Sequence, residues 1–417
     1  MDIPVFATPE RLSLSNGIPV YLLRSECQPA VRIDVVIEAG QAMQDKLLQA
    51  LFTNRLLREG TGTLSSASIS ERLDSLGSWL ELSVSMGCSF LTLYALRRCV
   101  RPSCELLRDM LLDPVFPEEQ LSVITANNRN QYLVNSRRGD VVARRLLHTD
   151  IYGADHPCGR FAEAPDFDAV TRNDLLHFYK TYYTADNTSL YLSGDVDDEV
   201  VGVVESCFGN WHSSHTTASD ISILCPTVVP DIGPCPTIVR HMPTQAQACI
   251  RMGCLMMDAG TVDYYRMRVV STLLGGFIGS RLMRRIREEL GYTYGILSDL
   301  VTNTRQVLFV VSCEAVADKG DVVMDEVRRE IERLCNVLVP EEELSMTRNY
   351  MLGEVCRSYE GPFSLIDAYI YTHTLGLPEQ HIPLTVRTAF DCTPEELRDT
   401  ARRWLNPDAL HAVEILP

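Results

Sequence analysis

The sequence predicts an α+β protein that consists of two copies of one domain. Its 417 residues are enough for two or three domains of ordinary size, and 46% of them are apolar. Strand-like and helix-like segments are grouped along the chain, which is typical of α+β folds. Short matches at a nearly constant separation indicate that the same arrangement occurs twice.

The duplication is visible in two short matches. Residues 117–122 (PEEQLS) recur as residues 340–345 (PEEELS), and the strand-like residues 32–40 resemble residues 252–260 at almost the same separation. Between the copies lies a stretch rich in serine, threonine and proline, and proline stiffens such a linker because it fixes φ. We therefore predict an N-terminal domain over residues 1–210, a linker over residues 211–236 and a C-terminal domain over residues 237–417.

The elements of the first copy follow from residue periodicity. β-rich residues predict two early strands, and alternation predicts a hairpin later in the copy, over residues 20–23, 31–38, 79–86 and 90–96. Helical spacing predicts four helices, over residues 46–58, 66–76, 100–112 and 117–135, the second stopped by Gly77. Grouped strands and helices predict, for each domain, an antiparallel or mixed sheet covered by helices on one side.

Charge and cysteine usage narrow the function classes. The formal net charge of −17 and the pI near 5.0 argue against nucleic acid or an anionic membrane as a partner. The sequence contains no unbroken run of about 18 apolar residues, so it predicts no membrane-spanning helix. The first residues also lack the pattern of a signal peptide. The 14 cysteines form no C-x-x-C pair. We therefore expect free thiols and a cytoplasmic protein.

Residues 48–61 (LQALFTNRLLREGT) resemble a segment of the pitrilysin/insulinase family of zinc peptidases. These enzymes are inverzincins, which carry H-x-x-E-H on this helix. In this chain Leu51 and Arg55 stand at the histidine positions, and Asn54 stands at the position of the general-base glutamate. Leucine has no lone pair to donate, and a guanidinium repels a dication.

The family's third ligand, a glutamate, would fall near residue 131, roughly 75 to 77 residues after the second histidine. Residues 120–139 contain no aspartate or glutamate. The resemblance therefore implies that this chain binds no cofactor and holds no catalytic zinc.

A second signature resembles the same family and is retained. Residues 274–282 (LGGFIGSRL) lead into residues 284–295 (RRIREELGYTYG), which resemble the family's R-E-x-x-G-x-x-Y run. The resemblance implies that Arg287 holds the substrate backbone and that the Tyr294 hydroxyl stabilises the oxyanion, both facing zinc across a chamber. The alternative is structural, because arginine is favoured near the end of a helix and tyrosine at the start of a strand. Gly291 is expected to end the helix in a left-handed conformation.

Three function classes remain open. The chain resembles a non-catalytic subunit of a two-chain zinc peptidase, comparable to the α-type subunit of processing peptidases, whose partner would bring the zinc. It also resembles structural subunits of the same fold, and it fits a stand-alone peptide-binding protein. Retention of Arg287 and Tyr294 beside loss of the zinc set favours the first class. The expected partners are a peptide substrate and a zinc-bearing homologous subunit, or a second copy of this chain in a homodimer.

Overall fold

Two mixed β-sheets form the centre of the molecule, one from each half of the chain. The computed structural model describes residues 6–26, 28–212, 225–230 and 233–417. Most of the predicted linker, residues 213–224 and 231–232, lies outside the described residues, so the domain boundaries stay predictions.

The first sheet has six strands in the order β1-β2-β6-β3-β5-β4, and only β2 and β6 are parallel neighbours. Its strands are β1 (Glu10–Ser13), β2 (Pro19–Arg24), β3 (Ala30–Ile37), β4 (Trp79–Val84), β5 (Ser89–Leu96) and β6 (Thr188–Gly194). The helices of this half are α1 (Gln49–Leu56), α2 (Ser66–Leu76), α3 (Val100–Leu112), α4 (Glu118–Asn135), α5 (Gly139–Tyr152), α6 (Asp166–Ala169), α7 (Arg172–Tyr182) and α8 (Asp198–Phe208).

The second sheet has five strands in the order β7-β11-β8-β10-β9, and only β7 and β11 are parallel neighbours. Its strands are β7 (Thr237–His241), β8 (Ala248–Asp258), β9 (Thr293–Val301), β10 (Gln306–Ala315) and β11 (His411–Leu416). The helices are α9 (Val262–Gly275), α10 (Gly320–Asn336), α11 (Glu341–Ser358), α12 (Pro362–Thr374), α13 (His381–Asp391) and α14 (Pro394–Trp404), and a π-helical segment spans Met283–Glu289.

The two sheets share one topology. Without the edge strand β1, the first sheet reads β2-β6-β3-β5-β4, which matches β7-β11-β8-β10-β9 strand for strand in chain order. The parallel pair falls at the same place in both sheets. The predicted fold class, two homologous α+β domains with mixed sheets, is thus confirmed.

The elements predicted from nearby residues alone, helix α2 and the β4–β5 hairpin, are present in the structure. Helix α2 begins at an N-cap, where the Ser65 side chain accepts from the backbone N–H of Ser68, and it ends at Gly77 with φ +61°. Strands β4 and β5 pair as the predicted hairpin. Helix α1 is shorter than predicted, because Leu48 adopts a left-handed conformation with φ 72° immediately before it.

Each domain's own helices cover one face of its sheet, and a helix of the other domain covers the opposite face. Helix α12 packs on β2 and β6 of the first sheet, where Ile366 and Tyr369 share an apolar cluster with Val36 and Tyr191. Sequence periodicity shows that a strand is apolar on both faces but not which helix covers the second face.

Helix α5 makes the reciprocal contact on β8 and β11 of the second sheet. Its Leu147 and Ile151 share an apolar cluster with Leu255 and Val413. The two domains are therefore interlocked by exchanged helices rather than joined through the linker alone.

Polar contacts cross the same interface. The Arg32 guanidinium on β3 binds the buried Asp34 carboxylate at 2.8 Å and also binds Asp367 on α12. His411 on β11 lies 2.7 Å from the Asp150 carboxylate on α5. These contacts set the relative position of the domains and hence the shape of the space between them.

Two further findings concern the state of the cysteines and the length and hydropathy of the helices. The cysteines of the described ranges are all free thiols, as expected. Within those ranges no helix is long and apolar enough to cross a membrane. The cytoplasmic location stays a prediction.

Candidate functional site

The helix that resembles the zinc helix packs against α4 and α7. Leu51 is half-buried against the first core, and Asn54 is fully buried. The Asn54 amide donates to the Phe90 carbonyl at 3.3 Å, and its side-chain oxygen has no partner among the described residues. Arg55 is exposed, and its guanidinium donates to the side-chain oxygen of Asn128 on α4.

These residues do not fit a zinc ion. Leu51 supplies no lone pair, Arg55 is a permanent cation, and the Asn54 amide is too weakly basic to accept a proton as a general base. Helix α4, on which the third ligand was expected near residue 131, contacts Arg55 through Asn128, a neutral amide. In the part of the chain that the structure describes, no group of three His, Cys, Asp or Glu side chains is arranged to hold a metal. That the purified chain binds no zinc stays a prediction.

Arg287 lies in the π-helical segment Met283–Glu289. The backbone N–H of Leu290 donates to the Arg285 carbonyl at 3.1 Å, an i to i+5 hydrogen bond. Such π segments are rare and occur frequently at functional sites. Arg287 is exposed, and among the described residues its side chain has no ion pair or hydrogen bond.

The neighbouring arginines of this segment are paired. Arg281 binds the Glu343 carboxylate through two nitrogens, each at 2.8 Å. Arg285 binds Glu326 and Glu289, both at 2.8 Å. Because Arg281 and Arg285 are paired and Arg287 is not, the Arg287 guanidinium is available to bind a group outside the described residues.

Tyr294 follows after a tight turn. Gly291 has φ +69°, as predicted, and the Tyr292 amide donates to the Ile286 carbonyl at 3.0 Å. The chain then enters β9, an edge strand of the second sheet, in which Tyr294 is 90% exposed. The segment packs on that strand, with the Ile296 amide 3.4 Å from the Met283 sulfur. One compact turn thus presents both Arg287 and Tyr294 to solvent.

A shallow cleft of about 230 Å³ lies beside Tyr294 and is lined by Arg251, Ser312 and Glu314 among others. A larger cavity of about 760 Å³ lies between the two domains and also has Arg251 and Ser312 in its wall. Arg251 therefore stands where the two spaces meet. Sequence reasoning missed this residue, although a single arginine inside the apolar strand β8 is a signal that could have found it.

The predicted residues thus form two separate sets. Arg287 and Tyr294 lie on two elements of the C-terminal domain that contact each other, the segment Met283–Glu289 and strand β9, whereas Leu51, Asn54 and Arg55 lie on α1 of the N-terminal domain. The roles inferred for all five residues stay predictions.

The fold and the site describe a two-domain α+β protein in which helix α1 resembles the helix of a zinc peptidase but carries residues that do not fit zinc. The family model described as the Peptidase M16 inactive domain matches residues 169–351. An uncharacterized zinc protease of Rickettsia felis is 22% identical over 357 residues, which covers 83% of each protein. The crystal structure of a peptidase M16 inactive domain from Pseudomonas fluorescens superposes with a TM-score of 0.86 at 20% identity and covers 98% of both chains. The chain thus resembles pitrilysin-like proteins of the peptidase M16 family, and residues 169–351 match the model of that family's inactive domain.

Two more distant similarities concern assembly. A probable mitochondrial-processing peptidase subunit beta of Arabidopsis thaliana is 24% identical over 227 residues, which covers 50% of this chain and 40% of the relative. The structure of the periplasmic protease PqqL from Escherichia coli superposes with a TM-score of 0.80 at 15% identity, over 100% of this chain and 46% of that one. The whole chain thus aligns with about half of a longer protease.

Proposed function

We propose that this chain is the non-catalytic subunit of a two-chain zinc metallopeptidase and contributes Arg287 and Tyr294 to its partner's zinc site. One observation carries the proposal. Tyr294 is 90% exposed and, like Arg287, has no hydrogen-bond partner among the described residues, while the side chains of Leu51, Asn54 and Arg55 do not fit zinc. A retained pair that stabilises nothing within its own chain is expected to act on something outside it.

The chemistry suits the two side chains. Zinc on the partner would activate water and polarise the scissile carbonyl. Arg287 would hold a substrate carbonyl through its planar set of donors, and the Tyr294 hydroxyl would donate to the oxygen that becomes negative. Both donors stand on a helical segment and an edge strand that pack together, which limits their movement during the reaction.

The comparisons support an arrangement with a second unit. One relative is named as a subunit of a processing peptidase. This chain aligns with 46% of the PqqL chain, so the remainder of that protease is long enough for a second unit of about this size. Aromatic side chains and arginine are also the residues most enriched at the centre of protein interfaces. The exposed Tyr294 and the exposed Arg287 fit a surface that faces another chain.

The test is reconstitution with a zinc-bearing homologue from the same organism. Each chain is purified alone, and peptide cleavage is measured for each one and for the mixture, with gel filtration as the measure of assembly. We expect cleavage by the mixture only, and loss of that activity when a chelator removes zinc from the partner.

Two results would contradict the proposal. If the zinc-bearing homologue cleaves equally well alone, this chain contributes no catalytic group. If the chains form a stable complex whose activity is unaffected by changes at Arg287 and Tyr294, the chain is a scaffold. Gel filtration of the chain alone also measures whether it forms a homodimer.

A further inference from the structure

The cavity between the domains has the size of a ligand site. Its volume of about 760 Å³ lies within the range of small-molecule and short-peptide sites. The N-terminal domain contributes helix α5 and the turn between β4 and β5 to the wall of the cavity. The C-terminal domain contributes strands β9 and β10 and helix α12. Since it shares Arg251 and Ser312 with the cleft beside Tyr294, the two spaces adjoin.

Three arginines reach this cavity from different elements. Arg144 lies on α5, Arg160 lies in the loop after α5, and Arg251 lies on β8. Across the described ranges none of the three forms an ion pair. Arg251 donates only to the carbonyl of its neighbour Ile250, at 3.3 Å, and the Nε of Arg160 is buried without a partner.

Unpaired guanidinium groups in a partly enclosed space are unusual. Burial is the largest effect on Arg251 and lowers its pKa, and the charge of Arg144 acts in the same direction. Asp140 and Glu314 act in the opposite direction, but neither forms an ion pair with it among the described contacts. Because a guanidinium stays protonated, its lost hydration has to be offset by an anion or by hydrogen bonds.

The acidic groups of the cavity do not cancel this charge. Asp367 is already bound by Arg32, and Asp299, the other carboxylate in the described wall, accepts from the Leu300 backbone N–H at 2.8 Å and pairs with no cation among the described residues. Burial lowers the pKa of His148, so this side chain is neutral at pH 7. The cavity therefore holds an excess of positive charge inside a chain whose formal net charge is −17.

We propose that the interdomain cavity is a carboxylate-binding site for peptides, with Arg251, Arg144 and Arg160 as its anion-binding residues. Planar guanidinium groups bind carboxylates through two parallel hydrogen bonds, and apolar wall residues such as Leu147 and Val310 accommodate peptide side chains. The carboxylate comes from a free C-terminus or from an acidic side chain. The cavity adjoins the cleft beside Tyr294. The site would therefore bind acidic substrates or products, and this role rests on the proposed function.

Binding to the chain alone tests this proposal without a partner or cleavage. The probe is an eight-residue peptide with one central aspartate, a free C-terminus and an N-terminal fluorophore, and its anisotropy is measured against chain concentration. Peptides with an amidated C-terminus, with asparagine in place of aspartate, or with both changes identify the source of the carboxylate. We expect saturable binding that weakens as salt is raised, and no binding of the doubly neutralised peptide.

Variants assign the site. Arg251→Gln should weaken binding roughly tenfold to a hundredfold, because it removes a charge-assisted contact. Arg251→Lys should fall between this variant and the unmodified chain, since it keeps the charge but loses the planar fork. Arg101→Gln is the matched control, because Arg101 is exposed on α3, lines neither space and has no ion pair in the described part of the chain.

Thermal unfolding of each variant shows whether the fold is retained. Equal binding of neutral and acidic peptides, or equal weakening by Arg101→Gln and Arg251→Gln, would overturn the proposal. Should Arg251→Gln fail to fold, Arg144→Gln on the exposed side of the cavity provides the same comparison. A chain that binds acidic peptides here but adds nothing to a partner's cleavage would refute the proposed function and leave this inference intact.

Discussion

Replacement of Tyr294 by phenylalanine separates a functional residue from a structural one. The change removes one hydroxyl and keeps the ring. Because Tyr294 is 90% exposed and its hydroxyl has no partner among the described residues, the free energy of unfolding should change by less than about 0.5 kcal/mol. The edge strand should be unaffected as well, since both aromatic residues favour strands.

The effect on catalysis should be much larger. Loss of one oxyanion donor costs about 2.7–4 kcal/mol of transition-state stabilisation, or roughly a 100- to 1000-fold lower kcat. KM should stay nearly constant, because the contact forms only as charge develops on the carbonyl oxygen. Steady-state cleavage by the mixed subunits measures both constants, gel filtration measures assembly, and denaturant unfolding of the chain alone measures stability.

Tyr292→Phe is the matched control. Tyr292 precedes Tyr294 by two residues and is half-buried, and its ring lies under the Lys319 ammonium at 5.9 Å. This variant should cleave at the unmodified rate. The reasoning fails if Tyr294→Phe also leaves kcat unchanged, or if its lower activity is accompanied by a matching loss of stability or assembly.

Other predictions concern the remaining charged positions. Arg287→Ala should raise KM roughly tenfold or more with a smaller effect on kcat, because a substrate contact is lost in the ground and transition states alike; initial rates over a range of peptide concentrations measure this. Elemental analysis of the dialysed chain should find no stoichiometric zinc, and Leu51→His with Arg55→His should bind no tight zinc either, since a third ligand is still absent. Arg32→Leu should destabilise the chain by about 3–5 kcal/mol in denaturant unfolding, because it leaves a buried carboxylate unpaired. Asp367→Asn should cost at most about 1 kcal/mol, because Asp367 is 59% exposed; equal costs for these two variants would show that burial does not control the pair.

The features that follow from the sequence are those with a local cause. Side-chain alternation and turn residues are sufficient for the β4–β5 hairpin, and an N-cap serine with a glycine stop is sufficient for α2. The loss of zinc ligands is equally local, because a leucine at position 51 has no lone pair in any fold. Short matches such as residues 117–122 with 340–345 were enough to predict that the fold occurs twice.

The position of the third-ligand helix shows where such prediction ends. Spacing along the sequence places the family's third ligand near residue 131 but does not predict which residue of α4 contacts Arg55; in the structure that residue is Asn128. Which residue of α4 meets α1 depends on how the two helices cross, and the crossing depends on the packing of the whole domain.

The exchange of helices between domains also depends on contacts far apart in sequence. The apolar faces of α5 and α12 are visible in the sequence, but the sheet that each one covers belongs to the other domain. By itself, the sequence determined the fold class, the duplication and which residues stand at positions 51, 54 and 55, where the resembling family carries its zinc motif. The tertiary arrangement determined that Arg287 and Tyr294 have no partner within the described chain, whereas Arg285, two residues before Arg287, is paired. It also placed Arg251 in a shared wall of two cavities, because pairing and burial are properties of three-dimensional neighbours rather than of the residues themselves.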